Sequence, residues 1–187
     1  MPPANHHTDP RQLARGIFAE TLDALDAGAA VRRAARFESG RLKIFGDEFD
    51  LDAGGAAVYC VAFGKAAGAM AAALDEALGG RLAGGVLSAP PLKTFLPRRW
   101  RVFEGGHPLP DAASVEAARA AFELLRRADE EAAVVVFLIS GGGSAMLEWP
   151  RESAATLADL REANRVLVTC GAGIAEVNAV RRAFSAV

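Results

Sequence analysis

Five residues in one short loop have the types and spacing to do chemistry: Ser140-Gly141-Gly142-Gly143-Ser144. Three glycines let a backbone come close to a ligand, because no Cβ bars the approach, and let its N–H groups turn toward an anion. Two hydroxyls flank them. A nucleophilic serine is the weaker reading. The G-x-S-x-G elbow is absent, since Ala145-Met146 follow Ser144, and no Ser-His-Asp order can be defended from spacing. The G-x-G-x-x-G dinucleotide fingerprint is absent too. Phosphate or carboxylate binding by N–H and hydroxyl groups fits the pattern best.

Other polar residues stand at similar positions along the chain. Lys65 follows an apolar run and precedes a helical segment, where an ammonium and a helix N-terminus both favour an anion. It is not the lysine of a Walker A loop, because Ala66 stands where Ser or Thr is needed. Alone, a Gly-Lys pair reads as a solvated lysine; beside a glycine loop it reads as an anion ligand. His107 lies in Gly105-Gly106-His107-Pro108-Leu109-Pro110-Asp111, stiffened by two prolines. It suits a proton carrier or a ligand-orienting donor. Asp111 can cap the following helix as well as face a ligand. Near the end, Asn178 and Arg181 are three residues apart and share a helix face. The arginine fork suits a small carboxylate. With three histidines in all, no zinc-like site is supported and no metal ligand is assigned.

The elements that must carry these residues follow from periodicity. Ala132–Ile139 is apolar at almost every position and reads as a strand buried on both faces, as in parallel sheets. Residues 56–63, 82–88 and 99–103 read as further strands, and 66–78 and 112–127 as helices. Val115, Ala118, Phe122 and Leu125 are expected to face inward. Asp9-Pro10 opens a helix over residues 11–37 that Gly28 divides, with Leu13, Ile17, Phe18, Leu22 and Leu25 at helical spacing. Residues 42–51 read as two short strands around a turn. Two helices close the chain, 152–169 and one from Ile174. Alternating strands and helices predict an α/β fold: a three-layer α/β/α, Rossmann-like domain with a mainly parallel sheet. The loops after each strand, with Lys65, Ser88, His107, Asp111, Ser140 and Ser144, then open on one edge, where ligands bind.

Composition bounds the function. The chain has 187 residues, enough for one domain of ordinary size, with 21 basic and 23 acidic side chains. No basic block suggests nucleic acid as a partner, and no apolar run is long enough for a membrane span. Cys60 and Cys170 are far apart and read as reduced thiols. With a polar, Pro-rich start, this predicts a cytoplasmic protein. Residues 1–8 are expected to be a disordered tail and 9–187 one α/β domain, incomplete at its C-terminus because no strand or cap follows the last helix.

Four segments carry a resemblance. They are Val61-Ala62-Phe63-Gly64-Lys65-Ala66-Ala67, the Gly105–Asp111 loop, Ile139–Leu147, and Gly171–Arg182. In this order and spacing they resemble the amino-terminal domain of the class II glycerate 2-kinases, whose members have often been labelled hydroxypyruvate reductases. The resemblance implies a bilobal enzyme that moves the γ-phosphate of ATP to the 2-hydroxyl of D-glycerate, with a divalent metal, usually Mg2+. It matches Lys65 to the active-site lysine, the Ser140–Ser144 loop to the phosphate-contacting loop, and Asn178 with Arg181 to an N-x-V-R segment. Family members are about twice as long as a single domain, so a Lys-Gly-Gly segment, an acidic motif and a second lobe would lie beyond Val187. The expectation is half a site, with the C-terminal domain separate or missing and the isolated chain inactive. Two rivals remain: a non-catalytic sugar-acid or nucleotide-binding module, and, less supported, a hydroxypyruvate reductase.

Overall fold

In a computed structural model, the structure describes residues 9–52, 55–92, 95–152 and 154–187. The expected tail, residues 1–8, lies outside them. Four strands form a parallel sheet: β4 (Val58–Phe63), β5 (Leu82–Ser88), β6 (Trp100–Phe103) and β7 (Val134–Ile139), in the order β6-β5-β4-β7. Before it come helices α1 (Pro10–Ala24) and α2 (Ala27–Ala34), and an antiparallel meander β1 (Ala35–Glu38), β2 (Arg41–Ile44) and β3 (Asp47–Asp50). The expected helix over residues 11–37 therefore ends at Ala34, and the expected strand pair is a three-stranded sheet. Arg36 and Phe37 pair with Lys43 and Leu42, so strand pairing overrides local helix preference there.

Two cores sandwich the parallel sheet. Helix α3 (Ala67–Leu78) and α2 cover one face, with Cys60, Ala62, Ala71, Leu74, Leu87, Val136 and Leu138 between them. Helix α4 (Ala112–Glu130) covers the other, packing Ala117, Ala118, Ala120 and Ala121 on Val61 and Val86. The alanine stripe lets α4 lie close to the strands. Phe122, expected inward, is instead exposed and meets Trp149 edge to face. The fold class is the one the sequence predicts: α/β, layered helix-sheet-helix, with a parallel sheet.

Strand β4 is buried on both faces, as is the C-terminal part of β5, where Val86 and Leu87 face opposite cores. Strand β7, expected to be so, is an edge: Val136 and Leu138 are buried, while Phe137 and Ile139 are 50% and 62% exposed. The apolar residues of α1 are also exposed; Leu13, Ile17, Phe18 and Leu22 each show more than half their surface. Periodicity reports which residues share a face, and these faces have no cover among the described residues.

The order β6-β5-β4-β7 has a functional consequence. From β4 the chain runs outward to β5 and β6, then returns to place β7 on the other side of β4. The β4 and β7 ends thus flank a topological switch point, where the loops diverge and leave a crevice. Register brings the ends level: Phe63 pairs with both Ser88 and Ile139, and Ser88 with Phe103.

At the opposite side of α3, Asp75 fastens the helix to β6. Arg99 grips both its oxygens, at 2.7 and 2.8 Å, and Trp100 Nε1 donates to Oδ1 at 2.8 Å. The Arg99 guanidinium holds this carboxyl below its ordinary value of 3.8, against the opposing effect of burial. A carboxyl lowered by folding contributes stability above its unfolded value, and that contribution is lost as pH falls through the folded value. Asp75→Asn should therefore cost about 3 kcal/mol in urea unfolding at pH 7, as for a broken buried pair. The gap to the parent should close as the pH is taken below about 4.

Candidate active site

The glycine loop begins where β7 ends, and it is fastened to the end of β4. The Ser140 hydroxyl accepts the Ala66 N–H at 3.1 Å, and the Lys65 N–H donates to the Gly141 carbonyl at 2.9 Å. Gly64 takes φ +115°, and a Cβ there would strike the Ser140 backbone and hydroxyl. Glycine is required at that contact. The Ser140 side chain is thus engaged in joining the two loops.

A single helical turn, α5 (Gly143–Met146), follows the loop. Gly142 sits before it at φ +87°. Here the loop meets two of the sequence-predicted residues. A Cβ on Gly142 would lie 2.6 Å from His107 Cδ2 and 3.1 Å from Lys65 Cε. Lys65 and His107, far apart in the chain, are brought to one bare backbone position by the level strand ends. Lys65 and His107 are both exposed, which leaves their polar atoms open to a ligand.

His107 is held by the cap of α4. The Asp111 carboxylate accepts the Ser114 N–H at 2.9 Å, and the Ser114 hydroxyl oxygen accepts the N–H groups of Gly106 and Asp111 at 3.0 and 3.1 Å. Both ends of the loop that carries His107 close on one buried serine. Asp111 is occupied by this cap. Neither it nor Lys65 nor His107 lines the cleft of Arg181, and Lys65 instead borders a neighbouring recess with Pro90 and Pro91. Ser88 is likewise inside the structure: it is fully buried and donates to the Met146 carbonyl, bracing α5 from below.

Across the loop, helix α7 (Ile174–Phe184) completes the wall, with α6 (Leu157–Thr169) packed against it. Their placement depends on a short clasp after α7. Arg151 N–H donates to Phe184 O at 2.8 Å and Ala186 N–H to Trp149 O at 2.9 Å, while Arg151 Nη2 reaches Ser185 O at 2.9 Å. The clasp turns Asn178 and Arg181 onto a cleft of about 610 Å3 shared with Ser140, Gly142, Gly143 and Ser144. Arg181 Nη1 lies 3.4 Å from Ser144 Oγ, and its Nε is buried without a hydrogen-bond partner. Gly141 is exposed on the loop's outer side.

One cleft residue was not among those singled out from the sequence. Glu148, 4% exposed, lines the cleft beside Arg181. Burial pushes its carboxyl up, against the Ser185 hydroxyl, the Trp149 N–H and the charge of Arg181. The available signal was a carboxylate set among Met146, Leu147 and Trp149. Among the described residues, no group of three or more His, Cys, Asp or Glu side chains stands together to hold a metal ion.

The site lies on segments with known counterparts. Residues 13–187 match the family described as "Domain of unknown function (DUF4147)". The chain belongs to the DUF4147 family. Among proteins sharing the domain, the glycerate 2-kinase of Pyrococcus horikoshii is 36% identical to it over 96% of this chain and 39% of its own length. A solved structure from P. horikoshii OT3 superposes with a TM-score of 0.79 at 35% identity, over 95% of this chain and 39% of that one. The solved glycerate kinase of Thermotoga maritima gives 0.71 at 29% identity, over 93% and 38%. This DUF4147 chain thus spans about two fifths of the length of the relatives it matches.

The two kinds of glycine in the loop can be told apart. Gly142→Ala puts a Cβ at a positive φ and against His107, whereas a Cβ on Gly141 meets nothing within 4 Å. Urea unfolding should show Gly142→Ala destabilised by about 1–3 kcal/mol relative to Gly141→Ala. Equal stabilities would mean that the loop is not held against His107 and Lys65.

Proposed function

We propose that this domain forms one wall of the cleft of an ATP:D-glycerate 2-phosphotransferase. The carrying observation is the meeting of Lys65 and His107 at Gly142, with Arg181 on the loop's other side at Ser144. Support comes from relatives named as glycerate kinases, whose activity belongs to chains more than twice as long. In this reading the bare loop receives phosphoryl oxygens on its N–H groups, and the Lys65 ammonium neutralises their charge. Phosphoryl transfer demands mainly such positioning and charge stabilisation. The glycerate 2-hydroxyl oxygen forms the new bond to the γ-phosphorus as the bond to the β-bridging oxygen breaks. ADP leaves with the electron pair, the hydroxyl proton passes to water, and the product is 2-phosphoglycerate. Arg181 and Asn178 hold the acid's carboxylate, and His107 orients the phosphoryl group.

A kinase reading implies Mg2+ with the nucleotide. The described residues offer a single carboxylate in the cleft, Glu148, which does not make an ion site by itself. No step is assigned to a metal here. The domain organisation follows the same reading: residues 9–187 are one α/β domain that works with a second, C-terminal one. No described helix is long and apolar enough to cross a membrane, and both cysteines are free thiols, in keeping with a cytoplasmic enzyme.

Calorimetric titration tests the proposal. The chain should bind ATP or D-glycerate, give no response to NADH, and release no ADP at enzyme rates without the second domain. Lys65→Ala should weaken ATP at least tenfold, as expected when a charge-assisted hydrogen bond is lost, with unchanged circular dichroism. ATP affinity unaffected by this change would remove Lys65 from the site. Binding without any turnover in a chain extended to the relatives' full length would favour a non-catalytic module.

A further inference from the structure

The glycine loop has two chemically different sides: Lys65 and His107 meet it at Gly142, outside the cleft, and Arg181 lines the cleft on the other side. At the Lys65 and His107 end, the nearby acid, Asp111, is committed to the α4 cap. At the other end, Arg181 shares the lining with the buried carboxylate of Glu148. Glu148 is held firmly: its Oε1 accepts the Trp149 N–H at 3.0 Å, and its own N–H donates to the Ser114 carbonyl at 3.3 Å. Arg182 and Ser185 complete this end, with Asn178 beside them.

A buried negative charge next to an arginine changes what that arginine can hold. A monoanion on Arg181 meets one guanidinium and one neighbouring carboxylate. A dianion is attracted twice as strongly by the guanidinium and repelled twice as strongly by the carboxylate, so the pair gives its second charge no net gain, whereas at Lys65 no uncommitted acid opposes the attraction. A hydroxyl on the ligand reverses the effect, because it can donate to Glu148, whereas a fully deprotonated dianion has no proton to give. Hydrogen bonds to a charged acceptor in such a site discriminate strongly against ligands that lack the donor.

We propose that Glu148 is a specificity-determining residue that makes the Arg181 end a subsite for small monoanionic hydroxy acids and turns doubly charged anions toward Lys65. The ligand carboxylate lies on Arg181 and a ligand hydroxyl donates to Glu148. This assignment rests on the reading of the cleft as one for a hydroxy acid and a phosphoryl donor, and adds to it the group that separates the two.

The test uses D-glycerate, propionate and sulfate, the last being a dianion throughout the working pH range. For the parent chain, D-glycerate should bind more tightly than propionate, which lacks hydroxyls, and sulfate should fail to displace it. Glu148→Gln keeps an oxygen for the Trp149 N–H, and its fold is checked by thermal melting. In this variant D-glycerate should weaken about tenfold, the loss of a charged hydrogen bond, while sulfate becomes an effective competitor. A merely structural role would weaken both ligands together, and that result would overturn the proposal. If the parent prefers D-glycerate and Glu148→Gln keeps that preference, the assignment of Glu148 fails alone. If the parent binds sulfate but no D-glycerate, the reading of the cleft fails with it. Should Glu148→Gln not fold, the parent's own ranking decides, and propionate binding as tightly as D-glycerate overturns the proposal.

Discussion

The fastening of two loops at the switch point of the sheet is the constraint on which the site depends. Phe63 and Ile139 are paired in register, so β4 and β7 deliver their loops at one level. Gly64 lets the chain pass against Ser140, whose hydroxyl takes the Ala66 N–H, while Lys65 N–H is taken by Gly141. These are ordinary hydrogen bonds, each of about 1 kcal/mol net. Their importance is geometric: they fix the Lys65 backbone against the loop, with the exposed side chain passing near the bare backbone of Gly142. The Ser114 hydroxyl does the same for His107 by closing both ends of its loop. Precision comes here from rigid strand ends and small residues rather than from a deep enclosed pocket.

Much of this was legible in the sequence. The apolar run at 58–63 and the Val-rich run before Ser140 have a single sensible reading as strands of a parallel sheet, and the residues after them must then open on one edge. In the structure Lys65 and His107 do meet the glycine loop at Gly142, outside the cleft that Asn178 and Arg181 line from one helix. Position along the strands misleads where neighbours decide. Ser88 sits at a strand end like the others, yet its hydroxyl turns inward to Met146 O. Asp111 has both a cap and a cleft within reach, and the cap takes it. Glu148 escaped notice because one acid in an apolar run carries no periodicity. The edge position of β7 was not legible either, since apolar content reports burial to come without naming the neighbour.

An uncovered apolar face adjoins the site. The exposed flank of β7, with Phe137 and Ile139, runs directly into the cleft that Ile139 also lines. The apolar stripe of α1 is equally open. Relatives that share this domain extend over more than twice its length. The wall carries cations, bare backbone and one buried carboxylate; in the proposed reading, groups facing them across the cleft would complete the site.

The central claim is that the phosphoryl group lies on Gly142 and Gly143, between Lys65 and His107. A co-crystal structure with a non-hydrolysable ATP analogue tests it most directly. The account predicts terminal phosphate oxygens within hydrogen-bond distance of the Gly142 or Gly143 N–H and of Lys65 Nζ. Phosphates bound instead at the far edge of the sheet, in the basic recess of Arg99, Arg101 and Arg127, would contradict it.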